Sequence, residues 1–132
     1  MDIRYETGSY TTPATVQGER NDCAVRALMV AACVDYQTAH DACAAAGRKP
    51  RQGMHTIGLH KAIRALAPQS VAAVPAARAT IAQFVRSNPR GHFILFVRWH
   101  FVAVCDGILH DWYWDSKTPR IRRRILYCWK LV

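Results

Sequence analysis

Cys23, His100 and Asp111 are residues of the three types that act together in acyl transfer to a thiol. A cysteine nucleophile needs a base to take its proton and a third group to orient that base. Cys23 ends a polar, turn-forming run, Gln17-Gly18-Glu19-Arg20-Asn21-Asp22, and Ala24, Ala27, Leu28 and Ala31 then recur at helical spacing. Asn21 and Asp22 are good N-cap types. This predicts Cys23 in the first turn of a buried helix, where free backbone N–H groups and the positive end of the helix dipole favour a thiolate. Free cysteines more often pack as small apolar residues, so the rest of the chain has to decide between the two readings.

The base comes from a predicted hairpin. Residues 92–97 and 100–105 are β-rich runs, and Asp106-Gly107 is the strongest short hairpin signal in the chain. A two-residue loop there pairs Cys105 with Ile108, Val102 with Asp111 and His100 with Tyr113. Alternation puts His100, Val102 and Val104 on one face with Leu109, Asp111, Tyr113 and Asp115. His100 then has two carboxylates as diagonal neighbours, Asp111 and Asp115, both within reach on a twisted sheet. If the first helix sets its N-terminus against this strand, Cys23 meets His100, and a thiolate–imidazolium pair can attack a carbonyl.

The elements that must position these residues are also legible. Helices are expected over residues 22–33, over 36–46 with Asp35 as cap and Gly47 as stop, over 56–66 with Ile57, Ile63 and Leu66 inward, and over 81–87 capped by Thr80. Residues 1–20 read as an extended arm or loop, and 70–78 as a short strand followed by a loop. Strands are expected at 92–97, 100–105, 108–114 and 121–129. Helices first and an antiparallel sheet of about four strands after them predict an α+β fold, with the Cys23 helix packed across the sheet.

The chain has 132 residues, 51% of them hydrophobic and 20% charged, which suits one globular domain over residues 1–132. No apolar run approaches a membrane span, and the N-terminus lacks the apolar core of a signal peptide, so the expected location is cytoplasmic and no membrane partner is expected. Five cysteines without CxxC spacing argue against a disulfide framework or a zinc cage. His55 and His60 lack the i, i+4 spacing of metal ligands, so no metal and no cofactor is expected. The net charge of +9 is concentrated in part at Arg120, Arg122, Arg123 and Arg124. A strand there would put Arg120, Arg122 and Arg124 on one face, a candidate site for an acidic protein or peptide. Nucleic acid is a partner the charge allows, though no RNA-binding signature or helix-turn-helix pattern accompanies it.

Together these residues resemble the papain-like cysteine peptidases: Gln17 six positions before Cys23, a helix, His100 leading a strand, then Asp111. The likeness is nearest to small proteins of phages and prophages, through Asn21-Asp22-Cys23-Ala24-Val25-Arg26-Ala27-Leu28, His100-Phe101-Val102-Ala103-Val104-Cys105-Asp106-Gly107 and Asp111-Trp112-Tyr113-Trp114-Asp115-Ser116. It spans both ends of the chain but not residues 55–90. It implies a papain-like fold, cleavage of a peptide or isopeptide bond, and an oxyanion hole made by the Gln17 side chain and the Cys23 backbone N–H. The last motif carries one extra residue between Asp111 and Trp114, so Asp115 stands as an alternative to Asp111; the Asp-Gly hairpin favours Asp111. A different class of function also fits: a basic binding module or inhibitor of a host protein that reuses the fold.

Overall fold

Period-3.6 patterning gives way to alternation near residue 91, and the secondary structure follows. The computed structural model describes residues 5–7, 21–73, 79–111 and 121–132. Its elements in order are β1 (Tyr5–Thr7), α1 (Cys23–Ala32), α2 (Tyr36–Ala45), α3 (Thr56–Leu66), β2 (Val71–Ala73), α4 (Ile81–Ser87), β3 (His92–Val97), β4 (His100–Cys105), β5 (Ile108–Asp111) and β6 (Ile125–Lys130). The fold is α+β. The strands form one sheet in the order β1-β5-β4-β3-β6-β2; five are antiparallel, and β1 joins the β5 edge in parallel.

Alternation along the central strands sorts the core into two layers. Ile94, Phe101, Ala103 and Trp129 face α1, α2 and α3, where they meet Val25, Leu28, Ala39, Leu59 and Ile63. Phe93, Leu95, Val97, Val102, Val104 and Leu109 face the other way, toward Ile81, Phe84 and Val85 of α4. Each fully buried aliphatic side chain in these layers contributes roughly 1.5–3 kcal/mol of transfer free energy. Helix α1 is apolar on most sides because it lies between β4 and α2. Local signals agree with the helix starts: Asp35 accepts from the Thr38 N–H at 2.7 Å, and Thr80 and Gln83 complete a capping box.

Several expectations need correction. Among the described residues the sheet has six strands, not about four, and helices pack on both of its faces. The extra edge strand β1 lies in a stretch read as an arm or loop, where three residues are too few to show alternation. The last strand begins at Ile125 rather than 121; Ile121-Arg122 is a turn and Arg124 makes an isolated bridge to Thr80. In α3 Ile63 is buried and Leu66 packs partly buried against the core, as expected, with Leu59 and Ala62 beside them, whereas Ile57 is 73% exposed. Positions 59, 62, 63 and 66 share one side of the helix at i, i+3, i+4 and i+7, and residue 57 falls on the opposite side.

Candidate functional site

The site begins at the first residue of α1. Asp22 holds the N-cap position, but its side chain makes no capping hydrogen bond. The carboxylate turns instead toward α2, where Oδ2 accepts from the Tyr36 hydroxyl at 2.6 Å and from Arg26 Nε at 3.0 Å. This corrects the reading of Asp22 as a side-chain cap: a buried Tyr and an Arg four residues on outcompete the helix N–H groups for it. The first helical hydrogen bond runs from Arg26 N–H to the Asp22 carbonyl at 2.9 Å. The N–H groups of Cys23, Ala24 and Val25 come before it, and they carry the positive end of the helix. Arg26 and Tyr36 were not foreseen as site residues, although the i, i+4 spacing of Asp22 and Arg26 was a usable signal.

His100 is set by the hairpins on either side of it. The two-residue turn Arg98-Trp99 closes β3 onto β4, pairing Val97 with His100. Asp106 and Gly107 both take positive φ, 49° and 80°, as a type I′ turn requires, so Cys105 pairs with Ile108 and Ala103 with His110. That register is the expected one. It brings Asp111 diagonally beside His100, and Nε2 of the ring lies 2.8 Å from Asp111 Oδ1. Both residues are 3% exposed. An ionised carboxylate only accepts, so Nε2 carries a proton and Nδ1 is the nitrogen left for the thiol.

Cys23, the first residue of α1, lies close enough to the His100 ring to affect its protonation. The helix runs along β4 in the same direction: at the far end the Cys105 thiol donates to the Val30 carbonyl at 3.8 Å. By parity His100 belongs with Val102 and Val104, which face α4, not α1. As the first residue of β4 it lies at the end of the strand, where its ring can reach past the sheet to the start of α1. Burial alone would push the ring toward its neutral form. The hydrogen bond to Asp111 and the negative charge of its carboxylate, with a contribution from Cys23, outweigh that cost and raise the pKa from 6.5 to about 8.

The other expected site residues fall differently. Gln17, Asp115 and Arg120 lie outside the described residues, as do Trp112, Tyr113 and Trp114. Arg122 and Arg124 are exposed but do not share a strand face, because Arg122 is in the turn before β6 and Arg124 in the isolated bridge. The expectation of an arginine-lined strand is therefore corrected: β6 starts only where the apolar residues that pair with β3 begin. His55 is the N-cap of α3, and His60 Nδ1 accepts from Trp129 Nε1 at 3.1 Å. Among the described residues no group of three or more His, Cys, Asp or Glu is placed to hold a metal ion, and no helix is long and apolar enough to cross a membrane.

A thiol at a helix N-terminus, an imidazole beside it and a buried carboxylate behind the imidazole can transfer a proton from the thiol and attack an electrophilic carbon. No protein-family model, curated protein or solved structure matches this chain.

Proposed function

We propose that this protein is a thiol hydrolase of papain-like fold that cleaves a peptide or isopeptide bond with Cys23 as nucleophile, His100 as base and acid, and Asp111 as orienting residue. The observation that carries this reading is the buried 2.8 Å pair of His100 and Asp111 beside a thiol at the start of α1. The Cys23 sulfur attacks the carbonyl carbon while its proton passes to His100 Nδ1. The oxyanion that forms is held by the Cys23 backbone N–H, with the Gln17 side chain as the expected second donor. His100 then gives the proton to the leaving amine, and the acyl group stays on sulfur as a thioester. Water, deprotonated by His100, releases the acid and restores the thiol. Keeping the Asp22 carboxylate on Tyr36 and Arg26 helps this chemistry, since an acid folded over the first turn would compete with the oxyanion for the same N–H groups.

The test is turnover of a fluorogenic library containing both α-peptide and lysine-isopeptide bonds. Cleavage should disappear in Cys23→Ala and His100→Ala, and Gln17→Ala should slow it on the order of 100-fold. The alternative, a basic binding module that docks an acidic partner, draws on the +9 charge and the exposed Arg122 and Arg124. It is favoured if no member of the library is cleaved and a salt-sensitive protein complex is found instead.

A further inference from the structure

The end of α1 away from Cys23 carries a second meeting of thiol, imidazole and carboxylate. Cys33 closes the helix in the left-handed conformation (φ 57°) and is exposed. Its sulfur lies 3.5 Å from His92 Nδ1, a nitrogen that also lies 3.1 Å from the Ala31 carbonyl oxygen. His92 Nε2 is 3.5 Å from Asp106 Oδ2, and Asp106 Oδ1 accepts from the Gly91 N–H at 2.9 Å. His92 and Cys105 are cross-strand partners in β3 and β4, so their side chains stand side by side on one face. The Cys33 and Cys105 thiols both donate to one acceptor, the Val30 carbonyl, at 3.9 Å and 3.8 Å. One oxygen thus gathers two sulfurs that are far apart in sequence.

We propose that Cys33 and Cys105 are a redox-active thiol pair that closes to a reversible disulfide when the oxidant is a peroxide. Cys33 reacts first, because it is exposed and has the imidazole beside it. Cys105 is the resolving thiol, because it is less exposed and its sulfur shares the Val30 carbonyl with that of Cys33. His92 Nδ1–H donates to the Ala31 carbonyl and lies beside the sulfur, so the Cys33 proton passes to water and the thiolate left behind is held next to that N–H. The Cys33 sulfur attacks one peroxide oxygen, the O–O bond breaks, and the departing hydroxide takes up the proton as water. The sulfenic acid left on Cys33 is attacked by the Cys105 sulfur. The S–S bond forms, the S–O bond breaks, and hydroxide leaves with the Cys105 proton as a second water. Two electrons pass from the thiols to the peroxide.

This chemistry is separate from hydrolysis. Among the described residues Cys33 shares no partner with the site formed by Cys23, His100 and Asp111. A helix of this length also puts it on the order of 15 Å from Cys23. The disulfide would tie the end of α1 to the β4–β5 hairpin.

The test uses the Cys23→Ser chain, so that the candidate nucleophile does not consume oxidant, and the unaltered chain beside it. Each is treated with hydrogen peroxide, blocked with iodoacetamide, digested without reduction and mapped by mass spectrometry. The expected product is a Cys33–Cys105 linked peptide two hydrogens lighter than its parts, lost on treatment with dithiothreitol. In Cys105→Ser, Cys33 should stop at a sulfenic acid that dimedone traps. Unreacted Cys33, Cys33 oxidised to the sulfinic acid with no linked peptide, or disulfides formed only between two chains would overturn the proposal.

Discussion

Asp111→Asn removes the charge behind His100 and keeps the size of the group. The wild-type ring is raised from 6.5 to about 8 even though burial works against the charged form. That gap of about 1.5 units is worth about 2 kcal/mol of preference for the imidazolium. In the variant burial stays, and the carboxylate charge beside Nε2 gives way to a neutral amide oxygen. His100 should therefore titrate at least about one unit lower, a loss of roughly 1.4 kcal/mol or more. The ring proton on Cε1 reports this directly in an NMR titration. Urea unfolding of the same samples gives a second measure, with a fixed sign. A folded-state pKa raised above its unfolded value contributes stability that is complete below 6.5 and is lost as pH rises through about 8. Wild-type stability should thus drop by about 2 kcal/mol across that window, and the variant curve should be nearly flat there. A His100 that still titrates near 8 in Asp111→Asn, or two parallel stability curves, would refute the role given to Asp111.

Other substitutions test the geometry around the site. Trp99 holds a left-handed backbone (φ 64°) while 87% exposed, so Trp99→Asn should raise stability by roughly 0.5–1 kcal/mol in urea melts. Gly91→Ala puts a Cβ at 2.9 Å from the Val132 carbonyl oxygen, at φ 101°; a loss of about 1–3 kcal/mol is expected from thermal unfolding. Tyr36→Phe removes the 2.6 Å bond to Asp22 and should cost about 1.5–3 kcal/mol. It should also slow any turnover, since the freed carboxylate can swing onto the first turn of α1; unchanged turnover would mean that Asp22 does not guard that turn.

The parts of this fold that local chemistry determines were readable in the sequence. Asp35 and Thr80 fixed two helix starts, and Asp106-Gly107 fixed the hairpin register that carries His100 to Asp111. Tertiary competition hid the rest. Asp22 looks like a cap until Tyr36, fourteen residues on, is packed beside it. Strand parity put His100 on the α4 side, and only its place at the end of β4 lets it meet Cys23. Strand β1 depends on an edge of β5 that is not apparent in three residues of its own. The arginines before β6 alternate like a strand, but the ladder begins only where the partner residues of β3 become available.

The central claim is that His100 activates Cys23, and the rate of alkylation tests it most directly. The protein is treated with iodoacetamide at neutral pH, and each cysteine is followed over time by mass spectrometry. Cys33, which is exposed, gives the rate of an accessible thiol in this chain. Cys23 is only partly exposed, so accessibility alone would make it slower. The predicted result is that Cys23 reacts faster than Cys33 in the wild type and slows by at least about tenfold in His100→Ala, the equivalent of one pKa unit. A Cys23 that lags behind Cys33, or that reacts equally fast without His100, would contradict the account.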